Sequence, residues 1–522
     1  MDFVLNNLWY VSAGVILLLL PGIAWQSLFK YSNRDFFEVL ALASGISISL
    51  FSLGALYTHL LGVKFSLVGI VSFLLVCFII VIYMYLRYIS PGSKKPRGHS
   101  SLNNISSRKL LEPFKNPDTL IMIGLGLIFL LILGWRFIQV RGIVLPAWVD
   151  SVHHVLIIRV ILENRALPDT LLPYLPVPFY YHFAFHWVTA IYSFITHLPP
   201  AQATLIFGQI LNAAIALSVY RLGRVLWGDW RRAGLAAILV GFVSQMPAYY
   251  LTWGRYPLLT GLLILPLAIA ESLEVVKQDF TLSRFLTLAI LTSGLLLAHY
   301  YAALLFAIFL GILIFSEAIK YFHGEKSETG RHLLYLTLAS GLGFILALPW
   351  LLQMWRFSQT YIAIGALYPT LDAVERAYFP NYIPYLWKLL GPAHNHLLLF
   401  LAIPGLALAI WRKGTRAFGI WALILSVLSL PWMVQIAPFR PDHAAIVLFL
   451  PVCLLVADLF VSLVDWLGHG KFALYKAIAI STRSVKIEES APLEKIAAPG
   501  MSATSASGAS TALLYIYGFD FK

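Results

Sequence analysis

Runs of about twenty predominantly apolar residues recur along this chain, and a run of that length crosses the hydrocarbon core of a bilayer as an α-helix. Backbone polar groups find no water in that core, so each run must close its own hydrogen bonds as a helix. The pattern predicts about thirteen spans, at 8–28, 36–60, 66–88, 118–136, 201–220, 233–250, 259–276, 284–299, 302–319, 333–352, 393–411, 417–435 and 444–464. Composition agrees. Of 522 residues, 60% are hydrophobic and 12% charged, against roughly 45–50% and 25% in soluble domains. The expectation is an all-α polytopic membrane protein with little soluble mass. Cys77 and Cys453 each lie inside an apolar run, where they read as small core residues rather than as a disulfide or metal ligands.

A formal charge of +13 suggests nucleic acid in a soluble protein. In a membrane protein the excess Lys and Arg mark the cytoplasmic side instead. Segment 89–117 carries Lys94, Lys95, Arg97, Arg108, Lys109 and Lys115 and is assigned to the cytoplasm. Counting spans from it puts Arg221, Arg224, Arg231, Arg232, Lys320, Lys326, Arg331, Arg412, Lys413 and Arg416 on the same side. The N-terminus is then outside and the C-terminus cytoplasmic, in a multi-pass protein of the cell (cytoplasmic) membrane. Membrane lipids are expected as surroundings and nucleic acid is not. Asp2 and no basic residue precede the first apolar run, so a cleavable leader is not expected.

Stretch 178–197, PFYYHFAFHWVTAIYSFITH, is also apolar. Its aromatic density favours the membrane–water boundary, and it reads as an interfacial helix in the membrane plane. Counting it as a span would invert every later loop. Three parts follow: an N-terminal three-helix extension with a basic loop, 1–117; a transmembrane core, 118–464, with a large outer loop 137–200 and an outer segment 353–392; and a cytoplasmic tail, 465–522. The Ala/Ser/Gly-rich tail reads as disordered.

Ten of the 14 histidines fall on the outer side in this topology: His59, His153, His154, His182, His186, His197, His299, His394, His396 and His443. The rule that sorts Lys and Arg does not sort histidine, which titrates near neutral pH and often shuttles protons or binds metal. Asp150 opens a helical pattern, VDSVHHVLIIRVILEN, with His153 and His154 three and four residues on. A carboxylate beside imidazoles can take a proton or hold a cation. Asp is also a favoured helix N-cap, and that reading stands beside the chemical one. His182 and His186 are four apart, a metal-compatible spacing on one helical face, though HxxxH alone is a weak signal. Asp150, His154, His182 and His186 are thus the candidate ligands of a divalent cation. Asp169 after Pro168 reads as a turn residue.

Other polar groups converge on the same side: Trp253-Gly254-Arg255-Tyr256-Pro257, His299-Tyr300-Tyr301 and Phe439-Arg440-Pro441-Asp442-His443. Arg255 and Arg440 either snorkel to the interface or meet a phosphate, for which the guanidinium fork is suited. Glu271, Glu317 and Asp458 lie near cytoplasmic ends of spans. The sequence has no GxxxxGK[ST], GxSxG, CxxC or HExxH, which argues against a P-loop ATPase, a serine hydrolase of the elbow type and a zincin. The spans hold few ionisable groups beyond their ends, unlike many proton or ion transporters.

The ordered parts resemble the GT-C class of integral membrane glycosyltransferases, which includes protein O-mannosyltransferases and lipid A aminoarabinose transferases. The resemblance covers roughly 118–464 and rests on an acidic residue in the first outer loop (Asp150) and the Pro- and aromatic-rich stretch from Pro173 to Tyr181. It also rests on LIFGQILNAAIALSVYRLGRVLWG, ending in a basic turn at Arg221 to Val225, and on MPAYYLTWGRYPLL with Arg255. Such enzymes usually pair two carboxylates in the acidic motif, whereas Asp150 is followed by Ser151, Val152, His153 and His154. Three spans precede the acidic loop here, where familiar members have one. The resemblance implies a GT-C-like fold and transfer of a sugar from a polyprenyl-phosphate donor to a lipid, glycan or protein acceptor, with inversion, on the outer side of the membrane. Asp150 would be the catalytic base. His153, His154, Arg255, Tyr256, His299, Tyr300, Arg440, Asp442 and His443 would bind substrate, with Arg255 and Arg440 on the phosphate and Asp442 orienting His443 or Arg440. The alternatives are a transporter or flippase of lipid-linked glycans without bond chemistry, and a non-enzymatic scaffold.

Overall fold

The computed structural model describes residues 8–29, 34–89, 117–278, 280–366, 382–430 and 441–488. The basic loop at 90–116, part of the segment 353–392, Arg440 and the tail beyond 488 lie outside the described residues. In chain order the helices are α1 (Leu8–Leu28), α2 (Phe36–Leu60), α3 (Leu67–Ile89), α4 (Pro117–Gln139), α5 (Val149–Asn164), α6 (Ala184–Thr196), α7 (Pro200–Trp227) and α8 (Trp230–Ile238). There follow α9 (Tyr256–Lys277), α10 (Leu282–Ala298), α11 (Tyr300–Phe322), α12 (Lys326–Ala366), α13 (Tyr382–Leu389), α14 (Ala393–Trp411), α15 (Arg416–Leu428), α16 (Pro441–Val447) and α17 (Phe449–Glu488). By contacts the chain forms two compact units, Met1–Ser462 and Leu463–Lys522.

Among the described residues ten helices are long and apolar enough to cross a membrane, so the protein is a multi-pass, all-α membrane protein. Two further expected spans, α10 and α15, are shorter apolar helices of 17 and 13 residues. The span expected at 233–250 is not one helix. Nine residues of α8 pass into a π-helical turn, Leu239–Val243, and the chain resumes as a 3-10 helix, Ala248–Trp253. The break has a local cause: Pro247 has no N–H to donate and disfavours helical geometry at Met246.

The apolar stretch around 178–197 yields α6, whose 13 residues reach roughly 20 Å, too short for a core of about 30 Å. It does not expose one face as a surface-lying helix would. Eleven of its residues are buried, among α2, α5, α7 and α9.

The most buried spans are α7, α9 and the stretch Pro441–Gly468, each 94% buried over its apolar window, with α2 at 72%. By contrast α3 and α4 are 11% and 22% buried and turn Leu75, Phe78, Ile79, Leu127, Leu130 and Leu131 outward. Apolar side chains facing outward from spanning helices meet lipid. Small residues let inner helices approach closely: a Cβ on Gly294 of α10 would stand 1.9 Å from Ser49 Oγ of α2.

At one end of the bundle buried charges tie these helices together. Arg221 of α7 binds Glu38 of α2, and Glu271 and Glu274 of α9 at 3.0 and 2.8 Å. Arg34 reaches the same pair at 2.9 and 2.7 Å. Tyr220 donates to Asp35 at 2.7 Å, and Asp35 with Glu38 forms a reciprocal cap that starts α2. The residues Arg221 to Val225, expected as a basic turn, are therefore the last helical turns of α7, which runs on to Trp227. Asp458 is paired with Arg412 and Arg232, and Glu317 with Lys320 and His332.

Candidate functional site

The opposite end of α9 carries the site. Helix α5 begins at Val149 with Trp148 as its cap residue, and no side chain caps it. Asp150 sits inside the first turn, so the N-cap reading does not hold. Its Oδ2 lies 3.9 Å from Arg255 Nη1, with both side chains about 40% exposed (41% and 40%). That distance is a loose ion pair, longer than a hydrogen bond, and it leaves both groups free to engage a ligand. Gly254 makes the approach possible. Its φ is +66°, and a Cβ there would stand 2.7 Å from the Ser151 nitrogen and 3.3 Å from Asp150 Cβ.

Behind this pair lies a cluster of rings. His154, one turn after Asp150, is buried, and its Nδ1 is 2.9 Å from His186 Nε2. One imidazole must donate and the other accept, so the two rings are not both protonated at this contact. Burial, with His153 and Arg255 adding repulsion, pushes His154 down to about 3. His186 is held well below the ordinary histidine range by burial and by His154. His182 is likewise lowered by burial, His299 and His186, and neither of its ring nitrogens has a partner among the described residues. Its ring centroid is 4.4 Å from His299 and 3.7 Å from Tyr181. His299 is pushed down to about 3 by burial, then by His443 and Arg255. Tyr300 stacks on His299, and His443 meets Tyr301 edge-on at 5.4 Å between centroids. Tyr256 is buried and stacked on Phe185.

The structure thus brings Asp150, His154, Arg255, Tyr256, His299 and Tyr300 to one end, with Asp442 and His443 in the first turn of α16 beside Tyr301. His153 is exposed and faces away from its buried neighbour. Arg440 lies outside the described residues. His182 and His186 do not share a helical face, because α6 starts at Ala184 and His182 precedes it. The chain before that helix is held by the Phe183 N–H donating to the Leu297 carbonyl. Asp169 is a turn residue as expected, with His59 3.6 Å away.

No group of three or more His, Cys, Asp or Glu side chains is arranged to hold a metal among the described residues. Of the four candidate ligands, His154 and His186 bond each other, His182 faces His299 and Asp150 faces Arg255. Sequence reasoning passed over Tyr181, whose phenol is raised by burial and by Tyr300 and Asp150. Its signal was the aromatic run beside His182.

No curated protein matches the chain significantly. Among solved structures it is similar to the archaeal oligosaccharyltransferase AglB from Archaeoglobus fulgidus, determined in complex with an inhibitory peptide and a dolichol-phosphate. The two are 15% identical with a TM-score of 0.45, and the match covers 79% of this chain and 55% of that one. This chain therefore matches little more than half the length of that neighbour. The pattern that defines the family of unknown function DUF6541 matches residues 15–466, and the chain belongs to that family.

Proposed function

We propose that the protein is a membrane glycosyltransferase that moves a sugar from a polyprenyl-phosphate donor to an acceptor on the outer side of the cytoplasmic membrane. The observation that carries this reading is the half-exposed Asp150–Arg255 pair beside buried histidines, whose charged forms burial disfavours, and the buried Tyr256. In the proposed step the acceptor oxygen attacks the anomeric carbon and its proton passes to Asp150. The new C–O bond forms as the bond from that carbon to the phosphate oxygen breaks, with inversion. The polyprenyl phosphate leaves with the electron pair, and Arg255 balances its growing charge. Arg440 is assigned the same task, and Asp442 the orientation of His443 or Arg440. The buried imidazoles, being neutral, would shape and dry the site rather than supply charge. Among the described residues no ligand set for a divalent cation is arranged, and no step is routed through one.

The test is transfer of radiolabelled sugar from a panel of polyprenyl-phosphate sugars. Purified protein in nanodiscs would act on a cell-envelope extract, with and without EDTA. Wild type should give labelled product, and Asp150→Asn should give at least about a hundredfold less. Equal product from Asp150→Asn removes Asp150 as the base. No product from any donor, with donor binding intact, favours a transporter or flippase. Fractionating the labelled product into lipid, glycan and protein identifies the acceptor class.

A further inference from the structure

Helix α4 carries an arginine in its last turn, where a long basic side chain ordinarily snorkels to the interface. Arg136 instead turns inward and is 1% exposed. The buried side chains of Arg34 and Arg221 and the partly buried Arg232 each meet carboxylates. Arg136 has no carboxylate within 4.0 Å among the described residues. Its Nη1 donates to Gln139 Oε1 at 3.2 Å and its Nη2 to the Val240 carbonyl at 3.1 Å, while its Nε has no partner. Two neutral oxygens do not balance a desolvated cation.

Arg136 forms part of the wall of a cavity of about 420 Å³, together with Gln139, Ser244 and Gln245. The Gln245 side-chain oxygen is buried without a partner; a half-turn of that amide would present N–H donors instead. The rim is apolar and aromatic, with Trp135, Phe242 and Tyr249 each 38–41% exposed. Such residues gather at the headgroup level of a bilayer. Neither Asp150 nor Arg255 lines the cavity.

We infer that this cavity is a binding site for a phosphate ester, anchored by Arg136. The guanidinium fork matches phosphate oxygens, and the aromatic rim opens where lipid phosphates lie. Ala147 and Thr252, from the segments that carry Asp150 and Arg255, also line the cavity, but the inference does not depend on the transferase reading. A lipid headgroup and a free phosphate from solution present the same chemistry, and the experiment separates them.

Protein in neutral maltoside micelles would be titrated with inorganic phosphate by calorimetry and with phosphatidylglycerol by native mass spectrometry. Phosphatidylcholine, whose phosphate is already balanced, serves as the blank. Wild type is expected to bind at least one of the two anionic probes. Arg136→Gln should weaken that binding at least tenfold, and Arg136→Lys, which keeps the charge without the fork, by less. Binding of phosphatidylglycerol alone assigns a headgroup; binding of inorganic phosphate alone assigns a free anion. The inference is overturned if wild type binds neither probe. It is equally overturned if Arg136→Gln, eluting as wild type does, binds within twofold of it; Arg136 would then only prop the Val240 carbonyl. Should Arg136→Gln fail to purify, Gln245→Leu takes its place, with at least a threefold loss expected and unchanged affinity overturning the inference.

Discussion

Asp150 and Arg255 come from segments about a hundred residues apart, and a missing side chain lets them meet. Gly254→Ala would place a methyl group against the Ser151 backbone at a positive φ of +66°. Both effects push α5 away, at a cost of about 1–3 kcal/mol. Thermal unfolding should show that loss, and transfer activity should fall more than stability does, because the carboxylate moves with the helix. The histidines make a second prediction. His154 stays neutral in the folded protein down to about 3, whereas an unfolded histidine takes its proton near 6.5. Protons therefore favour unfolding between those values. Stability should be flat above about pH 6.5 and fall as pH drops below it, by about 1.4 kcal/mol per pH unit for each such group. Melting curves from pH 8 to pH 4 check this, and His186→Gln should flatten the acid limb. The sequence pointed to these side chains through their residue types and the side of the membrane they were assigned to. It did not show that His154 would turn inward and His153 outward, because both fit the same stripe of a helix and only the packing of α6 decides. Arg136 was passed over for a related reason: near a helix end it reads as a snorkelling residue, and only its burial shows otherwise.

Among the elements, periodicity located the long helices well. Hydrophobicity over a window of twenty residues reports lipid depth, and α1, α2, α7, α9 and α11 obey it. It failed where a break is written in one or two residues, as at Met246-Pro247 between the two helical pieces that replace the span expected at 233–250. It failed again for α6, whose apolar and aromatic residues serve a protein interior rather than a membrane surface; the two environments select the same side chains. The ion network was half legible. The carboxylates were seen near helix ends, but their partners on α7 and before α2 are long-range and have no local pattern. That network joins α2, α7 and α9, so Arg221→Ala leaves two or more buried carboxylates short of a partner. The expected loss is about 3–5 kcal/mol, read as a lower melting temperature in micelles. Arg284→Ala, at the edge of the network with its nitrogen 3.9 Å from Glu274, should cost much less.

For the molecule as a whole, the ring cluster and the ion network occupy opposite ends of one helix, and α9 between them is buried without interruption from Tyr256 to Val275. A site that opens at one end is thus backed by a dry, tightly packed shaft and then by a lattice of matched charges. The consequence is electrical. A membrane that stores energy as a proton gradient loses it through any hydrated thread, and the uninterrupted burial of α9 predicts that the gradient is kept while titratable groups sit deep in the protein. Proteoliposomes carrying the wild-type chain should hold an imposed pH difference as long as empty vesicles do. Glu271→Ala, which opens the charge lattice from the other end, should shorten that lifetime measurably with a pH-sensitive dye inside.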